Sequence, residues 1–136
     1  MTICKRRTAI GLMSGTSIDG VDAALIETDG IKIFEFGPFV SVPFDRAFRK
    51  RLQPIMDRDP KSKNLLVERD LTLYHVNAVR TLLGQNRIEP SEIDVIGFHG
   101  QTVFHDPGNK ITCQIGNAPL LASKTGINVI SNFRSA

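Results

Sequence analysis

The spacing of apolar residues predicts that the chain opens with three antiparallel strands. Residues 8–10 form the end of a predicted first strand, and residues 21–27 form a predicted second strand. Residues 28–30 are typical of a hairpin turn. Alternation over residues 31–42 predicts a third strand, bent near Gly37-Pro38, whose phenylalanines belong to the core. Successive strands joined by short turns form a meander.

Helices and strands then alternate along the chain. Asp45 is the expected N-cap of a short helix that Pro54 ends, and a longer helix begins at Asn64 and ends at 84–86. The elements predicted further on are a buried strand at 94–98, a strand at 110–115, a helix capped by Asn117 and ended at 125–126, and a strand at 127–130. The pattern predicts an α/β fold with a mixed sheet and flanking helices.

Length and composition fit one globular domain. The chain has 136 residues, of which 41% are hydrophobic and 23% charged. Its net charge of +3 is too mild to indicate nucleic acid by itself, although the pI of about 9.1 leaves that class open. No stretch reaches the roughly 18 apolar residues of a membrane span, and the basic N-terminus is not followed by a signal-peptide core. Cys4 and Cys113 lack metal-ligand spacing, so we expect reduced thiols in a cytoplasmic protein with no nucleic-acid or membrane partner.

The most distinctive chemistry lies between the first two strands, in the predicted turn at 11–22. Glycines, hydroxyls and a carboxylate stand close together there: Ser14, Gly15, Thr16, Ser17, Asp19 and Gly20. Glycines permit positive φ and close approach of a ligand, and converging N–H groups favour an anion such as a phosphate. Asp19 is a candidate to hold a hydrated Mg²⁺. An ordinary hairpin turn uses the same residue types, and composition alone does not choose between the two.

A second polar group, formed by His99, Gln101 and Thr102, follows the buried strand at 94–98 directly. Ligands of open α/β sheets gather beyond the carboxyl ends of strands, so we expect these side chains to contact a polyhydroxylated substrate. The alternative is a polar hairpin loop that satisfies its own backbone. Asn117 faces the same choice, between a ligand contact at a helix N-terminus and a plain cap. His75 lies on the apolar stripe of the long helix, which predicts a core residue.

The basic residues of the first helix suggest a different class of function. They are Arg46, Arg49, Lys50 and Arg51, and Arg58, Lys61 and Lys63 follow in a loop. Such a run is typical of a solvated helix face, and a polyanion-binding surface is the alternative. Under that alternative the chain is a stand-alone interaction module.

Four motifs, taken together, resemble the ordered motifs of the anhydro-N-acetylmuramic acid kinases. They are Ile10-Gly-Leu-Met-Ser-Gly-Thr-Ser-Ile-Asp-Gly-Val-Asp22, His99-Gly-Gln-Thr102, Gln114-Ile-Gly-Asn117 and Asn132-Phe-Arg134. The resemblance runs along the whole chain and implies the actin-like, hexokinase and Hsp70 ATPase superfamily. It therefore implies a ribonuclease-H-like lobe, built on a three-strand meander.

The same resemblance implies ATP and Mg²⁺, with anhydro-N-acetylmuramic acid as substrate. ATP phosphates would lie on Gly15, Thr16, Ser17, Ile18, Asp19, Gly20, Val21 and Asp22, with Asp19 reaching Mg²⁺ through water. The sugar would contact His99, Gln101, Thr102, Asn117 and Arg134. Kinases of this family use water to open the 1,6-anhydro ring and phosphorylate O6 in cell-wall recycling.

The chain departs from the family pattern at its end. In the family the Phe-Arg pair is followed, after two further residues, by a general-base aspartate; here those two residues are Ser135 and Ala136, so the aspartate would directly follow Ala136. We therefore expect residues 1–136 to be a single N-terminal lobe without the base or the second lobe, and inactive alone. The resemblance leaves room for a homodimer of the full-length protein, and for a different sugar kinase of the superfamily.

Overall fold

Three antiparallel strands open the fold, which confirms the predicted meander. In a computed structural model that describes residues 5–56 and 64–132, they are β1 (Arg7–Met13), β2 (Gly20–Thr28) and β3 (Ile33–Pro43). The register of β2 against β3 is interrupted opposite Leu25, where Gly37 and Pro38 form a bulge, so the predicted bend is present.

The remaining strands extend this meander into a mixed sheet. In chain order the elements are α1 (Arg46–Leu52), α2 (Leu65–Gln85), β4 (Val95–Gly97), β5 (Gln101–Asp106), β6 (Ile111–Ile115), α3 (Ala118–Thr125) and β7 (Val129–Ile130). The five-stranded sheet has the order β3-β2-β1-β4-β7, with β4 parallel to both β1 and β7. A two-stranded sheet of β5 and β6 stands apart from it. The mixed α/β fold and its flanking helices are as predicted for a ribonuclease-H-like lobe.

The helices α1 and α3 are capped by the residues that the sequence predicts as caps, and α2 begins where the sequence predicts, next to Asn64. The Asp45 carboxylate accepts the Phe48 N–H at 2.7 Å, and this bond is the main cause that lowers the pKa of Asp45. The Asn64 side-chain oxygen accepts two N–H groups at the start of α2, each at 3.1 Å. Asn117 Oδ1 accepts the Leu120 N–H at 3.0 Å. At the far end of α3, Gly126 adopts φ 73°, as a C-terminal glycine does.

The core lies between α2 and one face of the sheet. Its fully buried side chains include Leu71 and Leu82 of α2 and Ile10 and Ile96 of the strands. His75 belongs to this core, as predicted. Its Nδ1 lies 2.9 Å from the Leu71 carbonyl oxygen, and its ring meets that of Phe98 edge to face. No helix in the described ranges has the length and apolar character to cross a membrane.

The prediction that the phenylalanines of the third strand are core residues is wrong. Phe36 is 77% exposed and Phe39 63% exposed. Phe39 pairs with Ala24 and faces away from α2, whereas its neighbours Val40 and Val42 pack against the core. Alternation gives the two faces of a strand but not which face is covered.

Two boundaries also differ from the prediction. The turn at 11–22 is shorter, because β1 continues to Met13 and β2 begins at Gly20. Residues 101–106, where the sequence predicts no strand, form strand β5, which pairs with β6. Some predicted features fall outside the described residues: Cys4, Arg58, Lys61, Lys63 and Arg134.

Truncating one phenylalanine from each environment tests the open sheet face. Phe48 is 3% exposed and packs edge to face on Phe44. Phe48→Ala should lower the free energy of unfolding by about 3 to 5 kcal/mol. The matched change Phe36→Ala should alter it by no more than about 0.5 kcal/mol. Urea unfolding measures both, and a similar loss in the two variants would contradict an open face at Phe36.

The buried histidine predicts a pH dependence of stability. Burial lowers the pKa of His75 from 6.5 to about 4. Between pH 4 and 6.5, the unfolded chain therefore binds a proton at His75 that the folded chain does not bind. The free energy of unfolding should therefore be highest above pH 6.5 and fall by about 3 kcal/mol as the pH drops to 4.

Urea unfolding between pH 4 and 7 measures this dependence. His105→Asn, a change at an exposed histidine, should retain it. His75→Gln should flatten it, and an unaltered slope in that variant would show that other groups are responsible.

Candidate functional site

The turn between β1 and β2 is tight and carries a strained residue. The Gly15 carbonyl accepts the Ile18 N–H at 3.1 Å, which closes a β-turn. Ile18 has φ 51°, which is unfavourable for a β-branched side chain, and it is buried with 8% exposure. Such a conformation costs on the order of 1 to 3 kcal/mol and persists only where its surroundings enforce it.

The glycines of the turn serve purposes other than the predicted positive φ, which neither adopts. A Cβ on Gly20 would lie 2.2 Å from the Val42 carbonyl oxygen, so glycine lets β3 approach. A Cβ on Gly15 would have its nearest neighbours at 4.0 Å, so the space beside Gly15 is open. The positive φ falls instead on Ile18.

The turn forms one wall of a cavity of about 390 Å³. The cavity is lined by Met13, Ser14, Gly15, Thr16, Ser17, His99, Thr102 and His105. It therefore brings residues of the predicted phosphate turn together with two of the predicted sugar contacts, although the two groups are far apart in sequence.

The predicted sugar contacts His99 and Thr102 are partly exposed in this cavity. His99 Nε2 lies 3.2 Å from the Met13 sulfur, and Thr102 Oγ1 accepts a hydrogen bond from the Gln114 side-chain amide at 3.2 Å. His105 also lines the cavity and was missed by the sequence prediction. In a regular strand, Thr102 and His105 would lie on opposite faces. The register of β5 against β6 is irregular between Thr102 and Phe104, and this irregularity brings both side chains to the cavity.

Gln101 lies behind the turn and does not line the cavity. It is fully buried, and its Nε2 donates to the Gly15 carbonyl at 2.9 Å and to the Thr102 carbonyl at 3.2 Å. Ser14 is also buried, and its hydroxyl donates to the Gly100 carbonyl at 3.0 Å. The Ser14 hydroxyl hydrogen is therefore used within the protein and is not free to donate to a phosphate.

The predicted phosphate residues beyond Ser17 lie outside the cavity lining. Ile18 and Val21 are buried in the core, so their side chains shape the turn from beneath. The Asp19 side chain is exposed, while its carbonyl accepts the Phe44 N–H at 2.9 Å. The Asp22 carboxylate accepts the Ser41 hydroxyl at 2.6 Å. Within residues 5–56 and 64–132, no group of three His, Cys, Asp or Glu residues is arranged to hold a metal.

Asn117 lines a different cavity, of about 260 Å³, together with Glu68 and Phe98. Its side chain caps α3, and its backbone N–H donates to the Thr72 hydroxyl at 2.9 Å. The Glu68 carboxylate accepts the N–H of Gly116 at 3.0 Å. The structure therefore does not bring Asn117 into the cavity of the β1–β2 turn.

The basic helix α1 also lies apart from this cavity. Arg51 pairs with Asp70, with 2.6 Å between Nη1 and Oδ2, and this bond is the main cause that lowers the pKa of Asp70. Arg49 and Lys50 are exposed. None of these side chains lines the cavity at the turn.

The structure defines the class of protein as a ribonuclease-H-like lobe with a glycine- and hydroxyl-bearing turn at the edge of a polar cavity. A family model described as anhydro-N-acetylmuramic acid kinase matches residues 7–136. The chain belongs to the anhydro-N-acetylmuramic acid kinase family.

Several relatives carry the same name. The chain is 46% identical over 137 residues to the anhydro-N-acetylmuramic acid kinase of Rhizobium etli, covering 95% of this chain and 37% of that protein. It is 48% identical over 132 residues to that of Gluconobacter oxydans, covering 93% and 36%. The chain thus spans little more than a third of its relatives' length. YeaZ from Pseudomonas aeruginosa is similar over 92% of this chain and 43% of its own, at 19% identity and a TM-score of 0.35, too weakly to support an argument.

Two glycines with nearly the same positive φ provide a matched test of how the cavity is built. Gly100 has φ +74° and a Cβ there would lie 2.1 Å from the Ile115 carbonyl oxygen, whereas Gly126 has φ +73° and open space. Gly126→Ala should lower the free energy of unfolding by about 1 to 2 kcal/mol, the cost of the left-handed conformation. Gly100→Ala should cost about 3 kcal/mol or more, because β6 must also move.

Thermal or urea unfolding compares the two glycine variants directly. Equal losses would show that the contact between residue 100 and β6 does not constrain the site.

Proposed function

We propose that this lobe supplies the ATP-phosphate and sugar contacts of a kinase that converts anhydro-N-acetylmuramic acid to its ring-opened 6-phosphate. The observation that carries the proposal is the shared cavity, in which the β1–β2 turn meets His99 and Thr102. The proposed substrate is taken from the description of the matching family. Because the reaction consumes ATP and recycles peptidoglycan sugars, the proposed location is the cytoplasm.

The turn would hold the phosphates mainly through its backbone. Gly15 leaves room for a ligand, and the exposed hydroxyls of Thr16 and Ser17 can donate to phosphate oxygens. Mg²⁺ is commonly bound by one or two carboxylates, waters and the phosphates themselves. The exposed carboxylate of Asp19 fits that role, with a water between it and the metal.

His99 and Thr102 would contact the sugar, because their imidazole and hydroxyl groups can donate to and accept from its oxygens. Arg134 stays a proposed contact without a described position. Gln101 and Asn117 are proposed contacts whose side chains also form hydrogen bonds within the protein, so each could reach the sugar only with its remaining polar atom.

The proposed reaction joins water, sugar and ATP. Water bonds to the anomeric carbon as the bridging bond to O6 breaks, O6 takes the γ-phosphoryl group, and ADP leaves. A general base must accept the proton of the water. We place that base and the adenosine-binding lobe in the part of the relatives that this chain does not match, so the 136-residue polypeptide alone should not turn over ATP.

A chimera in which residues 7–136 replace the matched segment of the Rhizobium etli relative allows a kinetic test. His99→Ala should raise the KM for the sugar by roughly tenfold or more while the KM for ATP stays within about twofold. Asp19→Asn should instead lower kcat/KM for MgATP by a similar factor.

The paired change of Arg49 and Lys50 to Ala is the control and should leave both substrates unaffected. Kinetics unaltered by His99→Ala and Asp19→Asn would contradict the proposal. A loss confined to the Arg49 and Lys50 variant, with salt-sensitive binding of polyanions, would favour the interaction-module alternative.

A further inference from the structure

The Gly15 carbonyl accepts two hydrogen bonds from other groups of the protein. The Ile18 N–H donates at 3.1 Å and the Gln101 side-chain amide at 2.9 Å. Gln101 lies 86 positions further along the sequence than Gly15 and is fully buried. The orientation of the Gly15 carbonyl is thus set from inside the molecule.

The orientation of the Gln101 amide is fixed by its surroundings. Its Nε2 faces two carbonyl oxygens, those of Gly15 and Thr102. A flipped amide would place its oxygen against both and would lose both hydrogen bonds. Its Oε1, although buried, has no partner in the described parts of the chain. Leaving this buried oxygen without a partner is costly. The amide keeps this orientation because the flipped one would lose both hydrogen bonds of Nε2.

Peptide geometry carries this constraint to the cavity. In a planar trans peptide the carbonyl and the following N–H point in opposite directions, and the described backbone contains no cis peptide. A Gly15 carbonyl aimed inward at Gln101 therefore aims the Thr16 N–H outward. Thr16 lines the cavity and Gln101 does not. No acceptor among the described residues takes the Thr16 N–H, so it is available to a ligand.

From this geometry we propose that Gln101 is a positioning residue that locks the Gly15–Thr16 peptide with its N–H facing the cavity, ready for a phosphate oxygen. The phosphate part rests on the proposed function, whereas the locking does not. Gly15 needs such a lock, because the open space beside it and its lack of a Cβ leave the peptide free to rotate. Ser14 reinforces the lock from the adjacent position by bonding to the Gly100 carbonyl.

Nuclear magnetic resonance of the 136-residue chain labelled with both ¹³C and ¹⁵N tests the lock directly. In the unsubstituted chain, the Gln101 side-chain nitrogen should show a scalar coupling through the hydrogen bond to the Gly15 carbonyl carbon. This measurement needs no variant, so it decides the question even if substitution at Gln101 prevents folding. Absence of the coupling would overturn the proposal.

Gln101→Met keeps the length of the side chain but removes the donor. The residual dipolar coupling of the Thr16 N–H should change in this variant, because the peptide is released. Gln114→Met is the matched control, since Gln114 is bound to the hydroxyls of Thr102 and Thr112 and not to the turn. It should leave the Thr16 coupling unchanged. An unchanged Thr16 orientation in Gln101→Met would overturn the proposal.

Titration with inorganic tripolyphosphate separates this inference from the proposed function. Tripolyphosphate should shift the Thr16 amide signal in the unsubstituted chain, and Gln101→Met should weaken its binding about tenfold. A Thr16 that reorients in Gln101→Met but ignores tripolyphosphate would support the lock and contradict the phosphate role of the turn.

Discussion

Two hydrogen bonds that each span 86 positions of sequence hold the cavity together. The Ser14 hydroxyl bonds to the Gly100 carbonyl, and the Gln101 amide bonds to the Gly15 carbonyl. They join the end of β1 to the start of β5, which belongs to a separate sheet. A backbone bridge between Ser14 and Gln101 joins the same two segments.

This connection requires close backbone approach. Gly100 lies so near β6 that no side chain fits, and a Cβ on Gly116 would lie 2.6 Å from the ring of Phe98. Phe98 in turn packs on His75 in the core. The residues around the cavity therefore pack against the core beneath α2. Ile18 belongs to the same core, and this packing holds it in its strained conformation.

Local signals in the sequence predict much of this structure. The repeat of apolar residues and the Asn64 cap predict α2 almost to its ends, because helix limits depend on nearby residues. The exposure of Phe36 and Phe39 is not predictable in this way, since it depends on what covers a distant face of the sheet. The strand character of β5 was missed because polar residues stand at both of its ends and because its partner β6 lies beyond a turn.

The sequence indicates where a candidate site lies but not the roles of its residues. The glycines and hydroxyls at 11–22 and the polar residues after β4 are candidates for ligand contacts, although an ordinary turn uses the same residue types. That Gln101 supports the turn, while His105 lines the cavity, follows from burial and from the irregular register of β5. Both depend on contacts between remote segments, which residue types do not encode.

A crystal structure of the chimeric kinase with Mg²⁺ and a non-hydrolysable ATP analogue tests the central claim most directly, that the β1–β2 turn holds the phosphates of ATP. The account predicts a phosphate oxygen within about 3 Å of the Thr16 backbone nitrogen. Phosphates bound elsewhere, for example in the cavity beside Asn117 and Glu68, would contradict it.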